Sequence, residues 1–271
     1  MTSQYVHGYD QFESVRLQDQ ARTLVDLLHS DTSFPDSSAV LEAGCGVGAQ
    51  TVSLAANSPG ARITSVDISE HSLEVARDAA RTAGITNVAF QQGDIFSLPF
   101  APDSFDHVFI CFVLEHLADP VGALASLKRV LKPGGTITVI EGDHGSTYFH
   151  PESEAADAAI GCQVELQRRA GGDAHIGRQL YPLLSRAGFD GVRVSPRMVY
   201  ADASKPHLVD GFTKKTFTAM IEGVRGPAVQ AGIIDPDAFD AGIRALHRTA
   251  QPDGTFCYTF FKAFADKAHV S

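Results

Sequence analysis

Residues 39–51, Ala-Val-Leu-Glu-Ala-Gly-Cys-Gly-Val-Gly-Ala-Gln-Thr, constrain the fold more than any other stretch of this chain. A short apolar run ends in a carboxylate, Glu42, and glycines follow at alternate positions, Gly44, Gly46 and Gly48. Such a run reads as a buried strand. The glycines allow a tight turn and let a ligand touch the backbone. A helix is expected from about Ala49. Strand, glycine turn and helix N-terminus in that order form a nucleotide cradle, although an ordinary glycine-rich turn would give the same letters.

The rest of the chain extends the alternation. A first helix is expected over 13–29, with Leu17, Ala21, Leu24 and Leu28 on one face. Strands are expected at 62–67, 88–90, 105–111 and 136–140. The helices between them carry start signals at Ser69 and at Asp119-Pro120, and stop signals at Gly84 and Pro133-Gly134-Gly135. Five strands alternating with helices imply a parallel, doubly wound α/β sheet. After Glu141 helices are expected at 152–170 and 178–187, and strands at 192–200 and 255–264. An insertion between those two strands holds helices near 213–223 and 236–250. The chain reads as a single domain: an N-terminal arm and helix (1–36), a core (37–200), a helical lid (201–252), and a last strand with its tail (253–271).

Composition narrows the partners. The formal charge is −10 and no run of Lys or Arg exceeds two residues, which excludes the basic footprint that nucleic acid requires. No stretch offers eighteen consecutive apolar residues, and the N-terminus lacks the pattern of a secretory signal, so a cytoplasmic protein without membrane insertion is expected. The four cysteines, Cys45, Cys111, Cys162 and Cys257, are far apart and read as buried free thiols, with no metal site. Whether the chain forms a homo-oligomer is left open.

The spacing in the turn selects its ligand. A dinucleotide pyrophosphate is held by Gly-x-Gly-x-x-Gly at a helix N-terminus. Here the pattern is Glu-x-Gly-x-Gly-x-Gly, and the leading carboxylate repels phosphate. S-adenosylmethionine (SAM) carries an ammonium and a sulfonium and no phosphate. The stretch resembles motif I of the class I SAM-dependent methyltransferases. Asp67, 23 residues after Gly44, Gly93-Asp94, 109–116 and Leu131-Lys132-Pro133-Gly134-Gly135 follow in that family's order. The resemblance covers 39–141. It is strongest to the small-molecule branch related to ubiquinone and menaquinone biosynthesis, the type 11 and type 25 methyltransferases. It implies a Rossmann-like seven-stranded sheet in the order 3-2-1-4-5-7-6, with strand 7 antiparallel.

The resemblance also implies site residues. The donor is expected against Glu42, Gly44, Cys45, Gly46, Gly48 and Thr51 of the turn. Asp67 is expected on the ribose hydroxyls, with Ile68 beside it. Asp94 reads the adenine amino group, Ile95 packs on the ring, and the backbone near Phe112 meets the methionine moiety. A helix-cap or turn aspartate is the plain alternative for Asp67 and Asp94. Tyr9 is expected to close over the donor. Acceptor-binding candidates are Tyr5, Glu141, Arg178, Tyr200, Phe212, Phe217 and Met220. His144 is the candidate base, being a histidine near a charged neighbour, Asp143; a loop histidine bonded to backbone is the alternative. His116 faces the acceptor or serves structurally at a helix start.

The function expected is methyl transfer from SAM to a small, largely apolar metabolite or natural product of secondary metabolism, at O, N or C. A non-catalytic SAM-binding protein and an NAD-dependent oxidoreductase are the other classes, the second lacking its fingerprint. A charged hydrogen bond contributes roughly 1.5–3 kcal/mol, so Asp67→Ala should weaken SAM binding by roughly ten- to a hundredfold. Titration calorimetry giving an unchanged affinity removes Asp67 from the site.

Overall fold

The glycine turn joins strand β1 (Ala39–Ala43) to helix α2 (Thr51–Ala56), and helix α1 (Gln11–His29) precedes it. The computed structural model describes residues 11–269, with side chains from residue 16 onward. Tyr5 and Tyr9 lie outside the described residues. The alternation continues through β2 (Arg62–Asp67), α3 (Glu70–Thr82), β3 (Val88–Gln92), β4 (Phe105–Cys111), α4 (Pro120–Val130) and β5 (Leu131–His150). Helices α5 (Glu154–Arg169) and α6 (Leu180–Arg186) lead to β6 (Asp190–Ala201), and β7 (Thr255–Asp266) closes the sheet.

The sheet order is β3-β2-β1-β4-β5-β7-β6. Strands β1 to β5 pair in parallel, and β7 lies antiparallel between β5 and β6. The order reverses between β1 and β4, the switch point at which such sheets bind ligands. Because the five parallel strands point one way, Glu42, Asp67, Asp94 and Phe112 come to the same edge.

Caps appear where the sequence places them. The Ser69 Oγ accepts from the Ser72 N–H at 3.2 Å, and Asp119 Oδ1 accepts from the Gly122 N–H at 2.8 Å, with Pro120 opening the helix. Two apolar cores flank the sheet. One joins α1, α5 and the insertion through Leu24, Ile160, Phe212 and Phe239; the other joins α4 and α6 through Leu124, Leu127 and Leu184. No described helix is long and apolar enough to cross a membrane.

Two elements depart from expectation. Strand β5 runs well beyond 140, and its ladder with β7 breaks between the pairs Asp143–Thr259 and Tyr148–Cys257. Residues 144–147 therefore stand opposite Tyr258 alone, a wide bulge. The Ser146 Oγ accepts from the Thr259 N–H at 2.9 Å and donates to the Asp143 carbonyl at 2.7 Å, pinning it. Bulges of this kind re-aim side chains.

The insertion is also richer than two helices. It runs as α7 (Pro206–Leu208), a π-helical segment (Val209–Thr218), α8 (Ala219–Gly223), α9 (Arg225–Gln230) and α10 (Pro236–Arg248). Within the π segment Thr216 Oγ1 also donates to the Gly211 carbonyl five residues back, at 2.8 Å. It brings Phe212 and Phe217 to one side, with ring centroids 6.4 Å apart.

One polar anchor ties α1 to the sheet. Lys262 on β7 is fully buried, and its Nζ donates to the Leu28 carbonyl (3.0 Å), Thr32 Oγ1 (2.5 Å) and Asp31 Oδ1 (2.5 Å). Removing one member of a buried, bonded pair leaves the others uncompensated. Lys262→Met should lower stability by about 2 kcal/mol, read as the shift in a urea midpoint; an unchanged midpoint denies the anchor.

Candidate active site

At the end of β1, Glu42 is buried, and its Oε2 accepts from Thr51 Oγ1 (2.7 Å) and Ser65 Oγ (2.6 Å). Thr51 thus serves the site by holding Glu42. Burial pushes the Glu42 carboxyl up to about 7 against these two donors, and the nearby Asp67 charge adds to the rise. Gly44 follows with φ +72°, and a Cβ there would stand 2.4 Å from Val113 Cγ2. Only glycine lets this turn and the loop after β4 approach so closely. Gly48, at φ +75°, backs against Ala76 in the same way, behind the wall.

Asp67 accepts from the Gly46 N–H (2.8 Å) and the Ser69 N–H (2.9 Å), so it ties the glycine turn to the start of α3. Burial raises its carboxyl from the ordinary value. Asp94 caps a short 3-10 turn, Ile95–Ser97, by accepting from the Phe96 N–H at 2.9 Å. Phe112 follows β4 directly at φ +58°, a left-handed conformation that costs a bulky residue energy and often marks a functional site. Its N–H donates to the Ile140 carbonyl at 2.9 Å, and its ring centroid lies 5.4 Å from that of Phe260.

These strand ends open into one cavity of about 920 Å³, the size of a small-molecule site. On the donor side its wall includes Glu42, Gly44, Cys45, Gly46, Asp67, Ile68, Asp94, Ile95 and Phe112. On the other side it includes His116, His144, Phe212, Phe217 and Met220.

His144 sits in the β5 bulge, buried, with Nδ1 3.2 Å from the Tyr258 hydroxyl. Burial lowers its imidazole from the ordinary value, which keeps the ring neutral near pH 7. Asp143, the expected partner of His144, turns away. Its carboxylate takes Arg178 Nε (2.6 Å) and Nη2 (2.8 Å) and the Gly145 N–H (3.0 Å). Successive strand residues point to opposite faces, so neighbours in sequence part here and the group on His144 is Tyr258.

Three acceptor candidates lie away from the cavity wall. Arg178 is spent on Asp143. Glu141 is fully buried, and its Oε1 accepts from the Val113 (3.1 Å) and Leu114 (2.8 Å) N–H groups, positioning the loop after β4. Burial pushes this carboxyl well up, with the Glu115 charge adding. Tyr200, on edge strand β6, is 41% exposed, with Lys205 Nζ 4.8 Å from its ring centroid. Conversely, Glu115, Tyr258 and Phe260 line the cavity without a motif to announce them. The alternation of aromatics along 255–264 is the one signal that marks the last two. The cysteines are free, and among the described residues no three His, Cys, Asp or Glu side chains converge as a metal site.

A seven-stranded sheet with β7 antiparallel, an acidic residue and glycine turn at the end of β1, and carboxylates at the ends of β2 and β3 define the class I methyltransferase fold. Residues 41–139 match the family described as "Methyltransferase domain". That match runs from β1 through the glycine turn to the body of β5 and includes the strand ends that line the donor side of the cavity. It is 35% identical over 208 residues to an uncharacterized 37.1 kDa protein in transposon TN4556 of Streptomyces fradiae, spanning 76% of this chain and 59% of that protein. It is 34% identical over 134 residues to a demethylmenaquinone methyltransferase of Staphylococcus aureus, spanning 49% of this chain and 55% of that enzyme. The chain thus spans less than two thirds of the curated relatives it matches. The 4+2-cyclase SpnF shares the fold, with a TM-score of 0.58, 20% identity, and coverage of 93% of this chain and 81% of that one.

Glu42 titrates with a definite sign. Its folded value, about 7, lies above the ordinary 4.5, so the folded state holds the extra proton and stability falls as pH rises between the two values. Glu42→Gln keeps an oxygen for Ser65 and Thr51 and removes the charge. The ligand-free variant should be more stable than wild type at pH 8 by on the order of 2–3 kcal/mol, and indistinguishable from it near pH 4. Urea midpoints that show no pH-dependent difference refute the buried charge.

Proposed function

We propose that this chain transfers the methyl group of SAM to a small, largely apolar acceptor bound in the same cavity. The observation that carries the reading is the continuity of that cavity. The carboxylates expected on the donor and an aromatic chamber share one space, which is what in-line displacement at a sulfonium requires. The enzyme's contribution to such a step is alignment and exclusion of water.

The residues divide the work. Glu42 offers its second carboxylate oxygen toward the donor's ammonium. Asp67 takes the ribose hydroxyls with the lone pairs its two backbone bonds leave over, and Asp94 with Ile95 takes the adenine. Phe212, Phe217 and Met220 close the chamber over the acceptor. His144, neutral and bonded to Tyr258, is the base. The shared fold with a cyclase means that fold alone does not specify methyl transfer, so turnover has to be measured.

The purified protein should carry SAM or S-adenosylhomocysteine (SAH), detected by mass spectrometry. With labelled SAM it should pass label to a small-molecule extract. His144→Ala should cut turnover by roughly 10²- to 10⁴-fold at unchanged SAM affinity, and Tyr258→Phe should cut it less. SAM binding without label transfer from any extract would leave a binding protein and reject the enzyme; His144→Ala with full turnover would reject the base.

A further inference from the structure

The acceptor end of the cavity has a chemical character of its own. Phe112, Phe212, Phe217, Tyr258 and Phe260 all line it. The last four are at most 3% exposed, and neighbouring ring centroids lie 4.8 Å (Tyr258–Phe260), 5.5 Å (Phe217–Tyr258) and 5.7 Å (Phe212–Tyr258) apart. Glu115 lines the same cavity. Its charge acts on both Tyr258 and His144, raising the first and opposing the fall of the second.

Glu115 is built into place. Gln167, buried on α5, donates its Nε2 to Glu115 Oε2 (3.0 Å) and to the Glu115 carbonyl (2.9 Å). Gln163, also buried, donates to Gln167 Oε1 at 3.2 Å, and the Asp173 N–H donates to the Glu115 carbonyl at 2.8 Å. Glu115 Oε1 also lies 3.8 Å from His116 Nε2. Of the other carboxylates near His144, Asp143 holds Arg178 and Glu141 Oε1 takes backbone N–H groups, and neither Asp143 nor Glu141 lines the cavity. Among the described residues of the wall, Arg16 is the one Lys or Arg, and it reaches Gln20 on its own helix at 3.1 Å.

Methyl transfer moves charge as well as carbon. The acceptor's lone pair forms the new bond to the methyl carbon, the C–S electron pair returns to sulfur, and the sulfonium leaves as a neutral thioether. A neutral nucleophile therefore ends as a cation, whereas an anion ends neutral. An anion would first have to enter beside Glu115, where like charges repel. Ring faces and a carboxylate instead attract an ammonium.

Granting the methyltransferase reading, we propose that the acceptor is an amine, held as its ammonium by Glu115 and the ring faces of Phe112, Phe212, Phe217, Tyr258 and Phe260. Before attack the ammonium gives one proton to His144, and the freed lone pair takes the methyl. The methylated ammonium that results stays stabilised by the same rings and carboxylate until release.

The test uses three probes of one size and different charge: phenethylamine, phenethyl alcohol and phenylacetate, titrated at pH 7 into the full chain saturated with SAH. The amine should bind at least tenfold more tightly than the alcohol, with phenylacetate weakest. Glu115→Gln, which keeps an oxygen for Gln167, should abolish the preference for the amine while binding SAH as wild type does. Equal or reversed order, an unaltered preference in Glu115→Gln, or no binding of the amine overturns the inference alone. Failure of SAH to bind in the preceding titration removes the donor reading and this inference with it.

Discussion

Glu42 Oε2 receives two hydroxyl protons, from Ser65 on β2 and Thr51 on α2, and much of the donor side depends on that junction. It binds the central strand to its neighbour and to the helix leaving the turn. It also fixes one carboxylate oxygen so that the other is left for the cavity. A buried carboxylate costs free energy unless a partner offsets it, and the two hydroxyls offset only part of that cost. Asp67 repeats the arrangement one strand further out, bonded through backbone N–H groups of the turn and of α3, and burial raises its carboxyl too.

The acceptor side rests on a different device. Four residues of β5 oppose one of β7. Asp143, paired just before the mismatch, holds Arg178, and His144, the first residue within it, points to the opposite face and meets Tyr258. Glu141, two residues before Asp143, holds the loop of Val113 and Leu114 by its Oε1, so the end of β5 organises both His144 and the loop that follows Phe112.

The fold was legible because its signals are local. The glycine turn, the cap at Ser69, the Asp-Pro helix starts and the apolar run at 105–111 each specify their own element, and the strand order follows from the family resemblance. The positions of Glu42, Asp67, Asp94 and Phe112, expected on the donor, were legible for the same reason, since each lies within two residues of the end of its strand. The acceptor residues were not. Pairing His144 with Asp143 came from adjacency in sequence, whereas a bulge decided the partner from over a hundred residues away. Glu141, Arg178 and Tyr200 look like pocket residues by type, and only the ladder and the burial of their neighbours assign them to support or surface. Glu115 sits in a stretch already marked for Phe112, but nothing in the letters places Gln167 against it.

The π-helical segment over Val209–Thr218 winds more residues into each turn than an α-helix does. Phe212 and Phe217, five apart in sequence, come to one side of it, where an α-helix would set them about 140° apart. The winding of one segment thus decides which rings of the insertion meet Tyr258, while β1 to β3 and their carboxylates take no part in it.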